Sequence, residues 1–239
     1  MNNIVIVTTY ISIILQFVTG ILSLGGIMYK LPVPHKVLND ALNLELGVQI
    51  VEMIFYIILV MFFAVKDMAT VRYFDWLITT PLMLFTTMLV YEYLVNVEYM
   101  KDNKEEDKPL TLTNFIEKYR KEIIYVVIAN AMMLVFGFLG EIGVMNIYVS
   151  TILGFIAMGV SFYIIYDKFA INLKKKDKLL FYLLISFWSL YGIAFLFPTA
   201  PKNISYNFLD IIAKNFFGLY LYYKIVTVSK DLKNKDVSN

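Results

Sequence analysis

Two cations and two carboxylates stand in stretches that have little use for charge. Arg72 and Asp75 lie three residues apart in "RYFDWLITTP", and Asp210 and Lys214 four apart in "FLDIIAKNFFGLYL"; the surrounding residues are apolar enough to cross a membrane. Both spacings put the pair on one helical face. An ionised side chain at bilayer depth costs on the order of several kcal/mol unless it is paired or faces water, so all four are functional candidates. Burial also disfavours the charged form of a lysine, and a neutral amine attacks an aldehyde to form a Schiff base. Once protonated, that imine needs a counterion, and Asp75 and Asp210 are placed to supply one. The bland alternative, and the weaker one, is that each pair is an ion pair that merely fastens helices together.

The elements that position these groups follow from periodicity. At about 100° per residue, Arg72, Asp75, Trp76, Thr79, Met83 and Thr86 form one narrow stripe along a helix. An arginine, an acid, an indole and hydroxyls on one stripe exceed what packing requires. Pro81 removes a backbone hydrogen bond in mid-helix and is expected to bend it, with the hydroxyls of Thr79 and Thr80 partly offsetting the loss.

The 239 residues are 59% hydrophobic with a formal net charge of +2, and charge gathers in short blocks, the profile of one polytopic membrane domain. No cysteine is present, which excludes disulfide and thiolate chemistry, and the basic blocks lack interleaved aromatics, which argues against nucleic-acid binding. Seven apolar runs can cross roughly 30 Å of hydrocarbon: 4–28, 44–65, 71–95, 123–139, 144–166, 179–197 and 208–226. The first lacks a basic n-region and a cleavage site, so it reads as a span and not a signal peptide. The expected architecture is an all-α seven-helix bundle over residues 1–230 with a short cytoplasmic tail, 231–239.

Lysines and arginines favour one side. Lys30, Lys36, Lys101, Lys104, Lys108, Lys118, Arg120, Lys121, Lys168, Lys174, Lys175, Lys176, Lys178, Lys224, Lys230, Lys233 and Lys235 share it, against Lys66 and Lys202 in loops on the other. The positive-inside rule then puts the N-terminus outside and the C-terminus in the cytoplasm. The sequon Asn203-Ile204-Ser205 falls outside and carries no weight by itself. Asn114, with Glu117 three residues on, is expected to cap the fourth span's helix before its apolar part begins.

"RYFDWLITTPL", "LDIIAK" followed by "GLYL", the sixth span's "FWSLYGIAF" and the fourth's "FGFLGEIG" together resemble the signature helices of the microbial (type 1) rhodopsins, seven-helix retinal proteins. The matches cover four of seven helices in order. The resemblance implies all-trans retinal on Lys214 as a protonated Schiff base, Asp75 as counterion and proton acceptor, Asp210 as second carboxylate, Arg72 just outside them, and Thr79 in a helix of proton-pump type. It implies a retinal slot formed by Trp76, Thr80, Met83, Met133, Gly137, Trp188, Tyr191 and Phe195. Where the family usually has proline and a second sandwich tryptophan, this chain has Gly192 and Phe195, so a slightly looser slot is expected. The fifth span has two candidate registers, one through "YVST" and one through "SFYIIY".

Thr86 is the departure that bears on function. Outward proton pumps of the family usually carry a carboxylate there, and a threonine cannot serve as that acid. The outer "FPTAPKNISYN" also lacks release-group glutamates. In the second span, Glu45, Gln49, Glu52 and Tyr56 recur at i, i+4, i+7 and i+11, a polar stripe able to attract cations. Its bland reading places Glu45 at the headgroups and Glu52 as a neutral, hydrogen-bonded core residue. Channelrhodopsins line their path with glutamates of this helix, and the small viral rhodopsins, one group of which are light-gated cation channels, are similar in size and pattern. Gln16 and Asn207 are expected to complete the path.

The leading expectation is therefore not an enzyme but a light-gated cation channel, with a slow outward proton pump and a sensory rhodopsin signalling to a transducer as alternatives. Its partners would be the lipid bilayer, retinal, and monovalent cations or protons, with a homo-oligomer possible. The protein would be integral to a membrane, a host membrane if the lysine-rich composition reflects a viral source.

Overall fold

The structure, a computed structural model, describes residues 1–103 and 110–238, and the side chains of 1–99 and 110–234. Lys104 and Lys108 lie outside the described residues, as do the side chains of Lys101 and Lys235. Among the described residues the regular structure is helical: α1 (Asn2–Ile27), α2 (Lys36–Phe62), α3 (Val65–Asn103), α4 (Leu112–Lys118), α5 (Arg120–Glu141), α6 (Ile147–Ile165), α7 (Lys175–Phe195), α8 (Thr199–Asp210) and α9 (Phe216–Ser238). A π-helical turn, Tyr166–Ala170, extends α6, and another, Ile211–Asn215, joins α8 to α9 into one rod. α9 continues through the backbone of the stretch expected as a tail.

Seven rods result. Each packs on the next in chain order, and the α8–α9 rod returns to α1, closing a ring with α3 against α8 and α2 against α9 across its interior. Six helices are long and apolar enough to cross a membrane by length and composition: α1, α2, the Val65–Tyr99 part of α3, α5, α6 with its π turn, and α7. The seventh rod is interrupted by its π turn and carries Lys202, Asn203, Asn207, Asp210 and Lys214, so hydropathy alone understates it.

Amphipathicity is inverted relative to a soluble bundle. α1 buries Thr8, Thr9, Ser12, Gln16, Thr19 and Ser23 and exposes Ile4, Ile11, Ile14, Phe17 and Ile21. Small and hydroxyl side chains let helices approach, while apolar ones meet lipid. Local chemistry sets the turns. Pro32 and Pro34 separate α1 from α2. Gly143, at φ +74°, turns the chain between α5 and α6 in a conformation that disfavours a Cβ, and the Asn146 side chain caps α6 by accepting from the backbone of Tyr148 and Val149.

Two sequence expectations are corrected here. The cap at the start of the fourth membrane helix region is Thr111, whose hydroxyl accepts from the Asn114 N–H; Asn114 lies inside α4, which ends at Lys118, with Tyr119 between it and α5. α4 is anchored by buried Phe115, packed edge-on against Phe85 and beside Tyr119 and Phe169. Lys202 and Asn203 are not in a loop, because α8 starts at Thr199; both are buried, and Asn203 donates to the carbonyls of Val65 and Thr199, which withdraws the sequon from the surface.

Candidate functional site

The charged residues of α3 and the seventh rod converge. Lys214 Nζ lies 2.9 Å from Asp75 Oδ2, 3.6 Å from Asp210 Oδ1 and 3.4 Å from Glu52 Oε1. Arg72 donates to Asp210 at 3.1 Å, to the Tyr56 hydroxyl at 2.6 Å and to Asn207 Oδ1. Tyr56 and Tyr191 each donate to Asp210, at 2.5 and 2.6 Å. All five charged groups are buried. The π turn carries Lys214 itself, and such single-turn insertions recur at functional sites because they re-aim a side chain within a helix.

Glu52 is the unexpected member of this cluster. The sequence placed it on a polar stripe of α2, yet it stands within ion-pair distance of Lys214. Two cations now face three carboxyls. A buried cluster of that composition is neutral only if one carboxyl keeps its proton.

Beside the cluster lies a cavity, partly open to its surroundings, with about 770 Å³ of empty space counted together with its open mouth. Trp76, Thr80, Met83, Met133, Gly137, Trp188, Tyr191 and Phe195 all line it, as do Lys214 and Asp210. Thr80 is fixed by its bond to the Trp76 carbonyl and by Asn130, which donates to it at 2.8 Å. The Thr79 hydroxyl bonds the Asp75 carbonyl. Both hydroxyls thus fold back within α3, on carbonyls other than that of Leu77, whose partner Pro81 removes.

Sequence reasoning missed several wall residues. Ser150, Thr151, Gly154, Phe155 and Met158 of α6 line the cavity, so the register through "YVST" faces it; of the alternative segment, Ser161 donates to the Val126 carbonyl and Tyr166 packs on Phe181. Tyr73 and Tyr206 add rings edge-on to Trp76, at 5.1 and 4.9 Å between centroids. Phe155 also corrects the expectation of a looser slot at Gly192: a Cβ there would lie 2.5 Å from Phe155 Cζ, so this ring fills the space a larger residue would take.

A second polar region runs between α1, α2 and α9. Glu45, Gln49 and Glu52 of α2 are buried, as expected of the stripe, and Gln16, Thr19 and Ser23 of α1 and Asn215 of the π turn join them. Asn215 accepts from Thr19 at 2.7 Å. Both side-chain atoms of Gln16 and of Gln49, the Ser23 hydroxyl and Asn215 Nδ2 make no hydrogen bond within the protein. Glu45 is deep in the bundle and not at its rim; it accepts a hydrogen bond from Thr86. Asn207 presents no free edge. Its amide donates to Thr8, Thr9 and the Val5 carbonyl while its oxygen holds Arg72.

At the end of the bundle beyond Arg72, Lys202 pairs with Glu141 at 2.8 Å, both side chains about nine-tenths buried, and its ammonium lies 5.1 Å from the centre of the Phe195 ring. The three residues come from the starts and ends of α8, α5 and α7. An acid therefore does stand at this end, supplied by α5 and not by the sixth-to-seventh connection where the sequence was searched.

Residues 5–228 match the family model described as bacteriorhodopsin-like protein. The chain belongs to this family. Curated protein sequences give no significant match. Solved structures with the same fold include the viral rhodopsin OLPVRII, at 24% identity over 94% of this chain and 98% of that one, with a TM-score of 0.76. A blue light-absorbing proteorhodopsin from Med12 matches at 21% identity over 95% and 98% with a TM-score of 0.67. The proton-pumping rhodopsin AR2 from the marine alga Acetabularia acetabulum matches at 18% over 96% and 98%, with 0.69. The protein is thus an integral, multi-pass membrane protein, and the family implies a retinal chromophore. The site fits that group: a cavity walled largely by aromatic rings, with a lysine amine in its wall and acids beside that amine.

Proposed function

We propose that the protein is a retinal photoreceptor that acts as a light-gated cation channel, with all-trans retinal held on Lys214 as a protonated Schiff base and Asp75 as its counterion. Bound there, retinal supplies a light-driven isomerisation beside Lys214. The chain's own residues do the rest. Asp75 and Asp210 neutralise the cation at Nζ, two tyrosines and Arg72 hold Asp210 in place, and Trp76, Trp188, Tyr191 and Phe195 transmit shape change to α3 and α7. The N-terminus is outside and the C-terminus cytoplasmic, following the lysine asymmetry.

The observation that carries the channel reading is the polar seam of α1, α2 and α9, whose buried carboxyls and unpartnered amides reach from Glu45 to Glu52, within 3.4 Å of Lys214. Carboxylates and amide oxygens attract cations and replace part of their hydration.

A specific contact favours a second reading, an outward proton pump. The hydrogen bond from Thr86 to Glu45 puts a carboxyl beside the position where the sequence has only a hydroxyl. Voltage clamp of cells supplied with retinal separates the two. A photocurrent whose reversal follows the cation gradient, and falls in Glu45→Gln and Glu52→Gln, supports the channel; current outward at every voltage supports the pump and overturns it.

A further inference from the structure

The channel reading leaves open what closes the seam in the dark. Gln49 lies midway along it, between Glu45 and Glu52 on the same face of α2. Its amide is buried and makes no hydrogen bond within the protein, an expensive placement for a group with two donors and an acceptor. It lies between two glycines on facing helices, and Gly218 makes room for it. A Cβ at Gly218 of α9 would lie 2.6 Å from Gln49 Nε2, and one at Gly20 of α1 would lie 3.7 Å from its Oε1. The amide thus occupies a notch in α9 that exists because Gly218 lacks a side chain, with α1 in ordinary contact at Gly20 on its other side. Beside it stands Ser23 Oγ, 3.6 Å from the same Gly218 Cβ position; Gln16, four residues before Gly20 on α1, is buried too.

Gly218 is four residues beyond Lys214, about one turn along the rod, and the π turn ends between them. A displacement at Lys214 therefore reaches Gly218 through one helical turn, without any loop. We propose that the side-chain amide of Gln49, seated between Gly20 and Gly218, is the resting gate of a monovalent-cation path, and that movement of Lys214 opens it by shifting Gly218. The inference rests on the channel reading and adds to it the constriction and its link to the chromophore. An amide suits the task because it is uncharged. It blocks by occupying the notch, and once displaced it offers an oxygen to a partly dehydrated cation without trapping it, whereas a carboxylate there would bind and hold.

The test pairs Gln49→Ala, which removes the plug, with Gly218→Ala, which leaves Gln49 in place and forces its amide from the notch. The visible absorption band of each purified protein reports folding, and voltage clamp reports dark conductance and closing rate after a light pulse. Both variants are expected to raise dark conductance relative to the light-evoked current and slow closing, each by roughly two- to tenfold, a change of about 0.4–1.4 kcal/mol in the closed-open balance. Coloured variants that match the wild type in both quantities overturn the gate and leave the channel standing. Coloured wild-type protein without a gradient-following current overturns the channel reading, and the gate with it.

Discussion

Replacing Lys202 with methionine tests whether the pair at the Arg72 end of the bundle is a structural lock. Lys202 Nζ stands 2.8 Å from Glu141 Oε2 with side chains 9% and 10% exposed. Removing one partner of a fully buried pair costs about 3–5 kcal/mol because the other charge is stranded, while exposed pairs contribute about 0–1 kcal/mol. At one-tenth exposure the expected cost is about 2–3 kcal/mol. The assay is the rate at which purified pigment loses its visible band at fixed temperature, since membrane proteins unfold irreversibly and rate is the usable measure. If the lock breaks in the rate-limiting step, Lys202→Met and Glu141→Leu each speed bleaching roughly 30- to 150-fold. The double variant replaces the pair by apolar groups and is expected to return near the wild-type rate. Additive effects, with a coupling below about 0.5 kcal/mol, would refute the lock. The position of the ammonium 5.1 Å from the Phe195 ring gives the effect a path to the cavity, so the absorption maximum is expected to move with the single substitutions.

Lys214→Ala should yield folded but colourless protein, and a surviving visible band would sink the chromophore assignment. Gly192→Ala puts a Cβ 2.5 Å from Phe155 Cζ and should slow pigment formation through overpacking of about 1–3 kcal/mol, with Phe155→Leu restoring it; unchanged regeneration would show that the ring does not fill that space. Glu52→Gln copies the shape of a protonated acid, so it should move the absorption band less than Asp75→Asn, and equal shifts would place the retained proton elsewhere.

Much of the site was legible because charge in an apolar run has few innocent explanations. Arg72, Asp75, Asp210 and Lys214 were visible from spacing alone, and the stripe from Arg72 to Thr86 faces inward as its period requires. What stayed hidden has physical reasons. α1 announces nothing by charge; its inner face is mostly hydroxyls, with one amide, a valine and a glycine, a pattern that reads as noise until the helix is known to face lipid with its apolar side. The seventh rod begins nine residues before its apolar run, because α8 is polar on the side it buries, and so Lys202 and Asn207 were assigned to solvent or to a path when both are bound in networks. The register of α6 could not be settled by hydropathy, since nearly every residue of that helix is apolar; Ser150 and Ser161 both bond to α5, and it is the cavity lining of Ser150, Thr151, Gly154, Phe155 and Met158 that marks the inner face.

Lys214 stands at the junction of two regions that the sequence presents separately. On one side is the aromatic cavity, reached through Trp76, Tyr191 and Ala213; on the other is the polar seam, reached through Glu52 and Asn215. The lysine could serve the first without the second if Glu52 were apolar, as it would be in a bundle packed only for stability. Burying a third carboxyl within 3.4 Å of the amine is a standing cost unless its proton is retained. That cost is understandable where a change at the lysine must be felt along α2. The cluster then couples the chromophore to the seam through charge, as Gly218 does through shape.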